Sequence, residues 1–329
     1  MKSRLLKLRI HFFLIFVLIL LFSQPGYPQE EEIEKYPSRP ITFIQPFSAG
    51  PPADLAIRLI SKQAEKFLGQ PIVVVNKPGA GGSIGVAAIA KSKPDGYTIG
   101  STTQGPLISV PLLEKVPYHP IKDLRMIMQF GAFNMGVIVK SDSPFKSFKD
   151  LIDYAHKNPK KMTYSTAGAN SLHNICMQQI AKEERIEVTH IPQKSSAEIQ
   201  TALLGKHIDF GIGDFNYTLL DAGEIRLILL LREERAAEYP QTPILKDLGY
   251  DFPCPTFLCV AGPKAIPDRI AKKLEEAYTK GMKEPEFING MKENLRLPVV
   301  YRNSKDFGDY TARNYGFFKK LFEEMGLIK

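Results

Sequence analysis

The sequence predicts a two-domain α/β protein, each domain a mostly parallel β-sheet flanked by helices. Three observations carry this. Short β-branched runs alternate with helical stretches from residue 41 onward, the pattern of strands joined by crossover helices. Turns rich in Gly, Ser, Thr or Ala follow three successive strands. Finally, about 300 residues follow an N-terminal apolar run, enough for two domains of ordinary size.

The chain opens MKSRLLKLRIHFFLIFVLILLF. Lys2, Arg4, Lys7 and Arg9 make a basic segment ahead of the apolar run 12–22. That run is short for a bilayer core, which needs roughly 20 residues, and it suits a secretory signal. A signal peptide over 1–28 is the expectation, with an acidic linker at 29–36. The net charge is +8, and half of it belongs to the signal. No basic stripe with interleaved aromatics follows, which argues against nucleic acid as a partner. Cys176, Cys254 and Cys259 are an odd count. Along an extended strand the last two stand roughly 16 Å apart, beyond disulfide reach, so three free, mostly buried thiols are expected. No Cys/His spacing forms a zinc site, and no metal or cofactor is expected.

Strand ITFIQPF (41–47), turn SAGPPA and helix 53–69 make the first unit. PIVVVN (71–76), the turn KPGAGGSIG and helix 83–93 make the second; YTIGSTT (97–103), QGP and a short helix near 107–115 make the third. A second series runs through strand 136–142, helix 147–159 with a capping-box start SFKD, strand 161–167, helix 171–184 and strands 187–193, 207–214 and 224–231, with SAEIQTALLGK (196–206) between the first two of these and a Gly at its end. The tail adds strand 256–263 and helices 267–283 and 304–326. Residues 37–137 with 252–329 are expected to form one discontinuous domain and 138–251 the other. A ligand belongs in the cleft between them, at the carboxyl ends of the strands.

The turn KPGAGGSIG (77–85) has four glycines in nine residues. Gly81-Gly82-Ser83-Ile84-Gly85 matches a nucleophile elbow, but no HGGG-type stretch precedes it and no histidine is marked out as a partner. A dinucleotide fingerprint fails because the third glycine arrives one place late; a P-loop fails for want of Lys-Ser/Thr. What remains is a tight turn needing positive φ, or anion binding by backbone N–H groups at a helix start. The three turns carry almost no cationic side chains, which suits a small carboxylate held by neutral amides and hydroxyls. Asp54 stands in the first turn of its helix, favourable to the dipole or in reach of a ligand. His173 near a helix start and Asp214 at a strand end are candidates for the cleft, as are Thr103 and Gln104.

The stretches YPSRPITFIQPFSAGPPADLAIRLI and GQPIVVVNKPGAGGSIGVAAIAKSKPDGYTIG closely resemble the substrate-binding proteins of tripartite tricarboxylate transporters, the Bug or TctC family. VPYHPIKDL (116–124), YSTAGANSLHN (164–174), HIPQKSSAEIQTALLGKHIDF (190–210) and TPILKDLGYDF (242–252) continue the match in order. The resemblance implies a periplasmic receptor of the periplasmic-binding-protein (Venus flytrap) fold, a non-enzymatic monomer that captures a small organic carboxylate and delivers it to membrane permease subunits. A sensor kinase is the alternative partner, and a hydrolase using Ser83 the alternative from another class. Carried over from the family, the ligand contacts are Phe47, Ser48, Ala49 and Gly50 with Asp54, then Thr102, Thr103 and Gln104, facing Thr166, Ala167, Gly168, Ala169, Asn170 and Ser171 of the other domain. The glycine turn is then architectural. One departure stands out. The family's first turn commonly reads P-F-x-x-G-G-x-x-D, and here the second glycine is Pro51, followed by Pro52. Proline lacks an N–H, so up to two anion donors are lost.

Overall fold

The computed structural model describes residues 35–328 except Asn170, Glu234 and Ala237. The expected signal peptide and all but the last two residues of the linker lie outside the described residues, as does Asn170 of the candidate site. In chain order the strands are β1 (Ile41–Gln45), β2 (Ile72–Asn76), β3 (Thr98–Gly100), β4 (Leu124–Gly131), β5 (Met135–Lys140), β6 (Thr163–Ser165), β7 (Thr189–His190), β8 (Phe210–Asp214), β9 (Ile225–Leu230) and β10 (Leu258–Pro263). The helices are α1 (Pro52–Leu68), α2 (Ser83–Ala90), α3 (Val110–Leu113), α4 (Phe148–Lys157), α5 (Leu172–Glu184), α6 (Ser196–Leu204), α7 (Tyr217–Asp221), α8 (Asp268–Gly281), α9 (Pro285–Asn289) and α10 (Ser304–Glu324).

Two five-stranded sheets result, ordered β2-β1-β3-β10-β4 and β7-β6-β8-β5-β9. Each sheet has one strand running against its neighbours, β10 in the first and β5 in the second. These are the strands by which the chain enters a sheet after crossing from the other. The direction follows from that: a chain arriving at the edge where the parallel strands end must run back along them. The carboxyl ends of the parallel strands in both sheets therefore face the crossings.

Local sequence accounts for most element ends. Pro51 and Pro52 start α1, with Pro52 as its first residue and Asp54 in its first turn; Gly69 stops it in the left-handed conformation, its N–H donating to Glu65 O. Ser147 and Asp150 form the anticipated capping box of α4. The differences are instructive. LRMIMQFG (124–131) becomes β4, which the sequence pattern did not announce. It carries Met, Arg and Gln around a single β-branched residue, Ile127, and is fixed by pairing with β10 along its length. The helix expected near 107–115 begins as a wider, π-type turn over 105–109 before α3. Strand 187–193 contracts to β7 plus a single bridge between Ala167 and Gln193.

The glycine turn after β2 is architectural in its geometry. Gly79, Gly81 and Gly82 all have positive φ, and Gly85 lies so close to the end of β1 that an added Cβ would stand 2.6 Å from Pro46 Cβ and 2.9 Å from Lys77 O. The turn thus lets α2 press directly on the segment that leaves β1. Ser83 is buried as the first residue of α2, and among the described residues no histidine hydrogen-bonds to it.

The two crossings, 132–134 and 231–257, are bound side by side. Phe133 N–H donates to Thr256 Oγ1 (3.1 Å), which donates to Phe133 O (3.0 Å). Leu231 N–H donates to Met135 O at 2.8 Å, and Arg232 donates to Asn134 Oδ1 at 3.3 Å. One buried apolar cluster runs through this region, joining Ile44 and Val86 to Val137, Tyr164 and Phe210 by way of Phe257, Phe307 and Phe318 of the return crossing and α10. A smaller cluster lies between the first sheet, α1 and α8. All three cysteines are buried free thiols. Among the described residues no helix is long and apolar enough to cross a membrane.

The packing at Gly85 yields a test. Gly85→Ala forces a methyl against backbone atoms, and we expect a loss of about 1–3 kcal/mol in urea unfolding. Gly308→Ala, on α10 where nothing lies within 4 Å, should gain about 0.5–1 kcal/mol. Equal effects of the two substitutions would contradict the close approach.

Candidate functional site

On the first sheet the rim is made where β1 and β3 end. Gln45, the last residue of β1, is buried, and its Oε1 accepts from Ser101 Oγ at 2.8 Å while its Nε2 has no partner. Beyond it Phe47 is half-buried and Ser48, Ala49 and Gly50 are exposed. The N–H groups of Ser48 and Ala49 have no acceptor among the described residues, so they are open donors. The Gly50 N–H is committed: it donates to Asp54 Oδ2 at 3.0 Å.

Asp54 acts within this loop. Its carboxylate is buried and accepts from Arg58 Nε (2.9 Å), Asn76 Nδ2 (2.8 Å) and the Gly50 N–H. Burial alone would raise its pKa. The hydrogen bonds from Arg58, Asn76 and Gly50, with the Arg58 charge, overcome that and hold it below the ordinary value. Asn76 uses the same amide to donate to Phe47 O at 2.8 Å. Both oxygens of Asp54 thus brace the loop that starts α1, and Arg58 is neutralised in the process. After β3, Thr102 is buried, Thr103 and Gln104 are half-buried, and Gln104 Oε1 is buried without a partner.

The second sheet supplies the turn after β6. Thr166 Oγ1 donates to Gly168 O (3.0 Å), Ser171 Oγ donates to Thr166 Oγ1 (3.1 Å), and His190 Nε2 stands 2.9 Å from the same oxygen. A hydroxyl has one proton and two lone pairs. With its proton given to Gly168, Thr166 accepts from both neighbours, which assigns the His190 proton to Nε2. Burial lowers the His190 pKa, in keeping with a neutral ring. Ser171 also caps α5 by accepting from Asn174 N–H at 3.3 Å; Asn174 Nδ2 donates to Ala169 O (2.6 Å), and Gly168 N–H donates to Gln193 O (2.9 Å). Ala167 and Ala169 are exposed on the turn so pinned.

His173 and Asp214 complete the set. His173, on the first turn of α5, is buried with Nε2 unpartnered, and burial pushes its pKa down to about 4. Asp214 ends β8 opposite Met135. Its side chain is exposed, yet protein surrounds the carboxyl on its other sides, and that desolvation raises its pKa to about 6. Next to it the lobes are clamped: Arg296 pairs with Asp221 at 2.5 Å and lies over the Tyr217 ring at 5.0 Å, while Tyr217 OH and Asn134 Nδ2 both donate to Arg296 O. Gln45 and Ser101 are rim residues that sequence reasoning missed. The available signal was a lone Gln inside the apolar run ITFIQPF. Among the described residues no group of three His, Cys, Asp or Glu side chains is placed to hold a metal.

The buried imidazole gives a pH test. The unfolded chain protonates His173 near 6.5, the folded chain only near 4. The unfolded state therefore binds more protons in that window, and stability falls as pH drops through it, by up to about 3 kcal/mol. Asp214, with its raised pKa, has the opposite slope between about 4 and 6, so the comparison must be with a variant that keeps it. From pH 7.5 to 4.5 we expect wild type to lose more unfolding free energy than His173→Gln; parallel curves would remove the assignment.

The family model described as "Tripartite tricarboxylate transporter family receptor", TctC, matches residues 56–327. A protein of Cupriavidus necator, the UPF0065 protein in gbd 5'region, is 31% identical over 304 residues, covering 92% of each chain. Among solved structures, a TctC solute-binding protein from Polaromonas with no ligand superposes with a TM-score of 0.79 at 25% identity, over 88% of this chain and 99% of that one. The periplasmic binding protein BugD gives 0.70 at 28% identity, over 89% and 100%. The fold is thus the two-lobed periplasmic-binding-protein fold. The chain belongs to the tripartite tricarboxylate transporter receptor family, a family of periplasmic solute-binding receptors.

Proposed function

We propose that this chain is exported to the periplasm, closes its two lobes on a small organic carboxylate, and presents it to the membrane permease subunits of a tripartite transporter. The lobes are taken as residues 37–137 with 252–329, and 138–251. The observation that carries the reading is the rim itself. Two sets of strand ends face the same crossings, and their turns offer amides and hydroxyls in place of cations. Ser48 and Ala49 present open N–H groups, Gln45 Nε2 is an unsatisfied buried donor, and Arg58, on the helix that this turn starts, is bound to Asp54.

Such donors suit an anion that must be released again. A carboxylate held by several neutral N–H and O–H groups gains charge-assisted bonds without the deep desolvation of an ion pair. The contacts proposed are Phe47, Ser48, Ala49 and Gly50, with Thr102, Thr103 and Gln104 on one lobe, and Thr166 to Ser171 with His173 and Asp214 on the other. Pro51 and Pro52 start α1 and contribute no N–H, so the first turn grips through its earlier residues. Closure about the paired crossings would bring the two sets together.

The test is thermal unfolding of the mature chain against mono-, di- and tricarboxylates and amino acids. A carboxylate at about 100 times its Kd should add roughly 2.7 kcal/mol, a shift of several degrees, and should shrink the radius of gyration in solution scattering. A panel in which no carboxylate moves either quantity would overturn the reading.

A further inference from the structure

Asp214 is an acid placed on a rim otherwise built to attract acids. Its position is set by register. Ser165 of β6 pairs with Gly211 of β8, and neighbouring strands lie about 4.8 Å apart. Gly168 and Asp214, each three residues further on, thus leave adjacent strands at the same edge. On its other side Asp214 pairs with Met135, the first strand residue after the crossing. The carboxylate therefore stands beside the turn proposed to hold the ligand.

Acids elsewhere in the fold have protein partners, and the Asp214 carboxylate has none among the described residues. Asp54, Asp209 and Asp221 each have partners: Arg58, the Thr163 N–H and hydroxyl, and Arg296 respectively. Arg232 reaches Asn134. Among the described residues none donates to the Asp214 carboxylate; Gln200 bonds only to its backbone carbonyl, at 3.1 Å. The ionisable group beside it is the Tyr217 phenol on α7, whose proton goes to Arg296 O. In the open form the exposed carboxylate is met by water; closure on a ligand would remove that water and leave it without a partner, and a ligand that supplies a cation there takes the water's place.

We propose that Asp214 selects the second end of the ligand, so that the receptor takes a carboxylate bearing an amine and discriminates against a matching dicarboxylate. The inference rests on the carboxylate reading above. One end of the ligand is gripped by neutral donors, and its ammonium meets Asp214 as donor to an oxygen that otherwise has none. A second ligand carboxylate in the same place would confront a like charge, with no guanidinium released to separate them.

The experiment compares pairs that differ only in that end. β-alanine, 4-aminobutanoate and 5-aminopentanoate are set against succinate, glutarate and adipate, with the common α-amino acids beside malate and citrate, by calorimetric titration at pH 8. Wild type should bind its best amine-bearing carboxylate at least tenfold more tightly than the dicarboxylate counterpart. Asp214→Asn should reverse the order, weakening the amine at least tenfold and strengthening the dicarboxylate. Because no protein donor is lost in that variant, its ligand-free melting temperature should not fall, which separates lost selection from lost folding. Dicarboxylates bound as tightly as their amine counterparts, or an order unchanged in Asp214→Asn, would overturn the role of Asp214 while leaving the carboxylate reading intact. Binding of neither series would remove both.

Discussion

The reciprocal bond between Phe133 and Thr256 is the contact on which the architecture turns. One backbone N–H and one carbonyl bracket a single hydroxyl, so the outgoing and returning crossings run as a pair. Bundled in this way, both crossings reach the same edge of each sheet. That explains why one strand in each sheet is antiparallel, and why the carboxyl ends of the remaining strands converge on one place. It also explains why the apolar cluster does not stop at a domain boundary: Phe257 carries it across on the return crossing and packs on Phe307 of α10 at 5.2 Å between ring centroids.

Charge is distributed with the same economy. The arginines near the rim are consumed by local acids or by backbone and amide oxygens, Arg58 by Asp54 and Arg296 by Asp221, and what is left open is a set of neutral donors. Asp54 shows how this is done. A buried carboxylate with three kinds of donor fixes the loop, uses up the Gly50 N–H and neutralises a guanidinium at once. Asp214 is the contrasting case, an exposed acid to whose carboxylate no described residue donates.

Much of the fold was legible because strands buried on both faces read as apolar runs and helices as periodic ones. The capping box at Ser147 and the stop at Gly69 were local, so local sequence sufficed. β4 was not legible: its Met, Arg and Gln residues have no strand signature, and only pairing with β10, some 130 residues later, makes it a strand. In the site, the turns were visible as clusters of small and hydroxyl residues. The buried amide of Gln45 was not, because its role depends on Ser101 arriving beside it from another strand.

By itself the sequence determined the alternation of strands and helices, the glycine turn that lets α2 meet Pro46, and the motifs that mark the family. These depend on backbone conformation and burial, which short stretches encode. Only the tertiary structure decided which donors stay open, which cations are already paired, and that Asp214 stands unpartnered beside the Thr166 turn. Those are properties of neighbours distant in the chain, and electrostatic satisfaction is a sum over such neighbours that no local stretch contains.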